Sequence, residues 1–221
     1  MEYLTQKNKR VSGKGLIKDE INAKDKTLVV IGGGDTGSDC VGTAIRQGAK
    51  KIYQLEIMPK PPVDRDESMP WPTFPRTLKT TTSHEEGCIR QWCVGTKKIV
   101  GEGGNLKELH CINLQWDKTE AGGLEMKEIE GSEFVIEADL IILAMGFIHP
   151  QHEGLIKNLG LKLDSRGNVA TDETYMTNIN KVFVAGDART GQSLVVKVLK
   201  EGCTVARNVD LFLMGESFLK G

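Results

Sequence analysis

Residues 27–31 (TLVVI) form a short apolar, β-branched run that ends in glycines. Residues 36–47 then place Cys40, Val41, Ala44 and Ile45 three and four apart before Gly48. The first pattern is that of a buried strand, and the second that of a helix with one apolar face. Residues 51–57 (KIYQLEI) read as a second strand. Strand, glycine turn, helix and strand in that order make the βαβ unit of a parallel sheet, so the chain reads as α/β.

The rest of the chain is less regular, and no internal repeat or low-complexity tract interrupts it. A short helix over residues 1–8 is predicted, followed by a charged, glycine-punctuated connector to residue 26. Pro59, Pro61, Pro62, Pro70, Pro72 and Pro75 make residues 58–76 an ordered loop, because proline cannot donate to a ladder or continue a helix. Residues 88–100 and 106–116 alternate apolar and polar positions around the turn at 101–105, and residues 133–145 complete a β-meander. Its last strand, 140–145, is apolar throughout and is expected to be buried on both faces. Beyond Pro150 the chain is looser until residues 181–185 (KVFVA) read as a strand, Gly186 and Asp187 as a turn, and residues 193–214 as a helix.

Composition narrows what such a chain can do. With 221 residues it can bury a core of one domain, or one domain and part of another. Lys and Arg number 29 against 30 Asp and Glu, a net charge of -1, which gives no pull toward nucleic acid or an anionic membrane. The five cysteines (Cys40, Cys88, Cys93, Cys111 and Cys203) include no C-x-x-C pair, which argues against a disulfide framework, a zinc site or an iron-sulfur cluster here. The expectation is a soluble protein of a reducing cytoplasm. The polar start is unlike a signal peptide, and the longest apolar run, 140–148, is too short to cross a bilayer.

The chemistry sits first in Gly32, Gly33, Gly34, Asp35, Thr36 and Gly37, which together read G-x-G-x-x-G. In this spacing Gly32 serves the tight turn out of the strand, Gly34 lets the backbone approach a diphosphate, and Gly37 lets the helix pack close to the strand. The anion then rests on the helix N-terminus. Alone the hexamer is weak evidence. Here it follows a predicted strand, opens a predicted helix and ends 19 residues before Glu56 at the close of the next strand, a context that points to NADH or NADPH. Glu56 has two readings, a carboxylate that accepts from both ribose hydroxyls of NAD and repels a 2′-phosphate, or a solvated strand-end charge. Lys60 and Arg65 nearby are candidate phosphate partners. Asp35 and Thr36 stand where a cofactor contact and a helix cap are both plausible. For Ser83, His84 and Glu86 a capping pattern competes with catalysis. Residues 70–72 (PWP) read as a shelter for a nicotinamide or an interface, or as an anchored proline loop, and Cys88 and Cys93 as core thiols or a redox pair.

Residues 32–40 (GGGDTGSDC), 54–62 (QLEIMPKPP), 70–72 (PWP), 138–146 (ADLIILAMG) and 182–196 (VFVAGDARTGQSLVV) together resemble the small (β) subunit of glutamate synthase, in order and over nearly the whole chain. The resemblance implies a glutathione-reductase-like flavoprotein architecture, in which a Rossmann-like, three-layer NAD(P)-binding domain is inserted into a FAD-binding domain. It implies an NAD(P)-binding domain at 27–150 after the helix and connector of 1–26, with the returning end of the FAD domain at 151–221. Ala144 and Gly146 would then lie in a strand-end turn near the nucleotide, Gly186 and Asp187 near the ribityl-phosphate of FAD, and Gln192 and Ser193 at a helix start facing the flavin. The implied activity is hydride transfer from NAD(P)H to FAD. Electrons then pass through iron-sulfur clusters to a large subunit that makes L-glutamate from L-glutamine and 2-oxoglutarate. The flavin would carry the redox chemistry, so no catalytic side chain and no metal ligand is assigned.

The family pattern also includes cysteine-rich iron-sulfur segments and a first glycine turn for FAD, and neither is present in these residues. The chain therefore reads as a fragment, inactive alone, that binds FAD weakly and pairs with a second copy through its last segment. Two further readings remain. One is a nucleotide-binding module without activity, and the other is a flavin reductase subunit of another system, of the sulfide dehydrogenase or ferredoxin:NADP reductase kind.

Overall fold

The computed structural model describes residues 2–14, 18–120 and 122–220. They fall into two compact units, Met1–Gly146 and Phe147–Gly221. In the first unit, helix α1 (Glu2–Val11) precedes β1 (Thr27–Ile31), α2 (Asp35–Arg46) and β2 (Lys51–Glu56). The βαβ reading therefore holds to within a residue. α1 is not a detached leader: Tyr3 is buried and its hydroxyl donates to Gln47 at the end of α2, while Gln47 also accepts from the Ala23 amide.

A proline-rich stretch then leads to the single turn α3 (Thr82–Glu85), and next come β3 (Ile89–Trp92), β4 (Val94–Glu102) and β5 (Asn105–Lys118). The expected strand at 88–100 is thus two strands belonging to two sheets. Cys93, with φ 55°, breaks the run: β3 pairs parallel with β2, and β4 pairs antiparallel with β5. A strand absent from the sequence reading, β6 (Leu124–Glu128), pairs with one end of β5, and β7 (Phe134–Glu137) pairs with the other.

β8 (Leu140–Leu143) leaves the meander and returns to the first sheet, whose order is β3-β2-β1-β8 with all pairs parallel. The expectation that 140–145 is buried on both faces fails. β8 is an edge strand, and although Ile142 is buried, Leu143 is 59% exposed. An apolar run reports strand propensity but not which neighbours cover it.

Three layers result, because β1 alternates its side chains between two cores. Leu28 and Val30 pack with Tyr3, Val41, Ala44 and Ile52 under the helices. Val29 packs with Leu55, Leu109, Cys111 and Ile136 under the meander. This is the Rossmann-like arrangement with a β-meander on one face.

The second unit contains α4 (Leu155–Leu159), α5 (Asp187–Thr190) and α6 (Val195–Met214). Residues 181–185 do not form the expected strand. Only an isolated antiparallel bridge between Met176 and Phe183 is present, flanked by a bond from the Val184 amide to the Tyr175 carbonyl, and the Val182 amide donates to Ile179 in a local turn. Gly186 and Asp187 open a short helix rather than a bare turn, and the long helix begins at Val195, two residues after Ser193. Among the described residues, no helix is long and apolar enough to cross a membrane.

Candidate functional site

The turn between β1 and α2 is built from glycines with different tasks. Gly32 has φ 124°, and a Cβ there would collide with the Ala144 carbonyl, whose own amide donates to Ile31 at 2.8 Å. Gly37 is buried on the first turn of α2, where a Cβ would strike the Gly32 carbonyl and come within 2.8 Å of Gln54 Nε2. Gly34 differs from both: its φ of -81° suits any residue, and a Cβ would meet nothing within 4 Å. Gly34 is also the N-cap of α2, and no side chain caps that end.

The expected capping by Asp35 and Thr36 is therefore absent, since both residues lie inside the first helical turn. Their amides and that of Gly37 head a 12-residue helix, where unsatisfied N–H groups and the helix dipole favour an anion. Gly33 sits beside Glu56, and its amide donates to Glu56 Oε2 at 2.8 Å. The other carboxylate oxygen of Glu56 accepts from the Met58 amide at 3.1 Å. Glu56 is thus a half-buried carboxylate fixed by two backbone donors rather than a free strand-end charge.

Beside it opens a cleft of about 190 Å³ whose lining includes Gly33, Glu56, Lys79, Arg90 and Trp92. Lys60 and Arg90 both stack on the Trp92 ring, at 5.1 and 5.0 Å. Arg65 does not join them, because its guanidinium donates to the Met69 and Thr73 carbonyls and anchors the proline loop. Trp71 in that loop is 84% exposed. Arg90, Lys79 and Trp92 went unnoticed in the sequence because the order of β3 and the path of the proline loop bring them to Glu56, and neither leaves a local pattern.

Beneath the turn lies a buried polar chain. Gln54 Nε2 donates to the Gly32 carbonyl at 3.0 Å, and Gln54 Oε1 meets His84 Nε2 at 2.9 Å. The cap of α3 is Thr81, with His84 as its reciprocal partner, in place of the expected Ser83 and Glu86. Glu86 instead pairs with Arg46. Ala144 ends β8 against Gly32, and Gly146, with φ 88°, closes the first unit.

In the second unit Gly186 has φ 69° and is buried, and its amide donates to the Glu201 carboxylate of α6, which also accepts from Arg189 Nε at 2.6 Å. Asp187 and Gln192 line a cleft of about 470 Å³ with Phe147, His149 and Gly191, and the Gln192 amide donates to the Phe147 carbonyl at 2.8 Å. Ser193 is exposed and precedes the N-cap Leu194. The Glu201–Arg189 support of this turn carried no sequence signal.

Comparison with known protein families matches residues 2–202 to pyridine nucleotide-disulphide oxidoreductase. The chain belongs to that family. Among curated relatives, the glutamate synthase (NADPH) small chain of Mycobacterium tuberculosis is 45% identical over 99% of this chain and 45% of its own length. The Bacillus subtilis glutamate synthase (NADPH) small chain is 41% identical over 99% of this chain and 46% of its own. The glutamate synthase (NADH) of Schizosaccharomyces pombe is 39% identical over 100% of this chain and 11% of its own.

The chain thus spans about half the length of the bacterial relatives. Two solved structures agree on the fold. Mycobacterium tuberculosis FprA in complex with NADPH has a TM-score of 0.58 at 12% identity, covering 87% of this chain and 53% of that one. T. acidophilum thioredoxin reductase has a TM-score of 0.53 at 22% identity, covering 84% of this chain and 52% of that one.

Proposed function

We propose that the unit Met1–Gly146 binds NAD(P)H at residues 32–37 as the dinucleotide-binding part of a flavin-dependent oxidoreductase of the glutamate synthase small-subunit kind. The observation that carries this reading is Gly34. Gly32 and Gly37 are required by the protein's own backbone, whereas nothing in the protein needs Gly34 to lack a side chain. A glycine with an ordinary φ, at an uncapped helix start, serves something that comes close from outside, and a diphosphate fits.

The first-turn amides of α2 would hold the diphosphate, and the fixed Glu56 carboxylate would accept from ribose hydroxyls. When bound, the nicotinamide supplies a hydride and the flavin accepts it. Asp187, Gln192 and Ser193 would meet FAD. The buried Gly186 contributes its left-handed backbone rather than its amide, which Glu201 already occupies.

Delivery of electrons to a large subunit, and synthesis of L-glutamate from L-glutamine and 2-oxoglutarate there, extend the reading along the names of the relatives. A flavin reductase of another system would share the turn. The 45% identity to a glutamate synthase small chain favours the first assignment. Calorimetry with NADH and NADPH tests the core of it. Both affinities should fall at least about tenfold in Gly34→Val, since a side chain there blocks the diphosphate, and equal affinities in the two proteins would defeat the reading.

A further inference from the structure

His84 is 8% exposed and Gln54 is 2% exposed, and their polar atoms form a continuous line from α3 to the glycine turn. The roles along that line are fixed by groups that can act in only one way. The Gly32 carbonyl can only accept, so Gln54 turns its nitrogen toward it and its oxygen toward His84. The Thr81 amide can only donate, and it faces His84 Nδ1 at 3.1 Å. His84 is therefore neutral, with its proton on Nε2 donated to Gln54.

We propose that His84 is a positioning residue of the dinucleotide turn: acting through Gln54 it holds the Gly32 carbonyl in place, and protonation of its Nδ1 loosens the turn and weakens dinucleotide binding. The inference rests on residues 32–37 being the NAD(P)H turn. A proton on Nδ1 would face the Thr81 amide, itself a donor at 3.1 Å, with only the Thr81 hydroxyl oxygen, also at 3.1 Å, left to accept it, and the reciprocal cap of α3 would be lost.

The charged groups around the ring do not favour an imidazolium, which would have only the Gln54 and Thr81 side-chain oxygens as acceptors. β3 contributes the Arg90 cation and β2 the uncharged Gln54. On α2, Arg46 is paired with Glu86 of the α3 end, while Asp39 is exposed; Glu85 of α3 is exposed, and Cys88 is a half-buried neutral thiol. Burial first, and then the Arg90 charge, hold the imidazole below its ordinary value of 6.5.

The test combines nitrogen NMR of the His84 ring with NADH calorimetry on the 221-residue chain from neutral pH downward. Expected are the Nε2–H tautomer, Gly32 and Gly33 amide signals that move with the His84 titration, and a His84 midpoint driven lower by saturating NADH. One pH unit below the midpoint the apparent affinity should be about tenfold weaker. His84→Gln, which donates but does not titrate, should lose that pH dependence.

Gln54→Glu gives a second view, because its carboxylate cannot donate to Gly32. It should weaken NADH binding at neutral pH and raise the His84 midpoint. An Nδ1–H tautomer, glycine amides indifferent to His84, or an affinity flat across the titration would overturn the proposal. Absence of NADH binding at every pH would defeat the dinucleotide reading and the affinity claim with it. Indifferent glycine amides in a chain that binds NADH would defeat the relay alone.

Discussion

A Cβ at Gly32 or Gly37 meets backbone that has no room to yield, whereas one at Gly34 points into open space. The same motif therefore splits into two positions that the fold itself requires and one that the fold leaves open. Gly32→Ala and Gly37→Ala should each cost about 1–3 kcal/mol in chemical denaturation, from left-handed strain at the first and overpacking at the second. Gly34→Val should leave the unfolding midpoint close to wild type while lowering dinucleotide affinity at least about tenfold, and a variant that instead unfolds early would show that Gly34 is structural.

Glu56 makes a separate prediction. A carboxylate pinned by the Gly33 and Met58 amides cannot swing away from a 2′-phosphate, so NADH should bind more tightly than NADPH. Glu56→Arg should shift the ratio of affinities toward NADPH. Arg90 and Lys79 line the same cleft and pull the other way, so wild-type chain that prefers NADPH would assign the discrimination to them. The glycine hexamer was legible because its spacing and its flanking strand and helix are contiguous in sequence, although the groups that crowd Gly32 and Gly37 include the distant Ala144 and Gln54. The His84–Gln54 contact spans 30 residues and needed the packing of α3 under the turn before either residue had a role.

At the scale of elements, the sequence pattern located β1, α2 and β2 because each carries its own periodicity and a glycine boundary. It merged β3 with β4 because alternation continues through Cys93, and a positive φ on a non-glycine residue leaves no mark in an apolar pattern. It missed β6, whose five residues are all exposed and so show no apolar face to bury. It overread residues 181–185, since an apolar run becomes a strand only where a neighbour supplies a ladder. Cys93 is where the chain leaves the parallel sheet for the meander, and its backbone conformation is one that glycine adopts without penalty. Cys93→Gly should accordingly be neutral or stabilising by up to about 1 kcal/mol, whereas the β-branched Cys93→Val should destabilise. Thermal unfolding of the two variants checks the sign. A strongly destabilised Cys93→Gly would mean that the thiol's packing, rather than the turn, governs this junction.

The two units of the molecule differ in how fully their apolar surface is covered. The first encloses two hydrophobic clusters, one on each face of the parallel sheet. In the second, the long helix α6 buries only Glu201, and Val195, Val196, Leu199, Leu213 and Met214 are each 65–74% exposed. Val195, Val196 and Leu199 cluster within the first two turns of α6, and Leu213 and Met214 stand at its far end, so the exposed apolar surface lies in two patches. Exposed apolar patches of this kind draw a partner by the same apolar burial that builds a core. The 221-residue chain should therefore elute with a light-scattering mass above its own 24.3 kDa, and Val195→Lys with Leu199→Lys should return it to the monomer. These 221 residues hold a single G-x-G-x-x-G turn, and if it takes NAD(P)H as proposed, FAD has only the contacts that the second unit supplies. Purified protein should lack the visible absorption of a flavin and take up added FAD only weakly. A yellow preparation that keeps stoichiometric FAD through gel filtration would show that Asp187, Gln192, Ser193 and their surroundings suffice as a site, and self-association through α6 would then be the first place to look for the missing contacts.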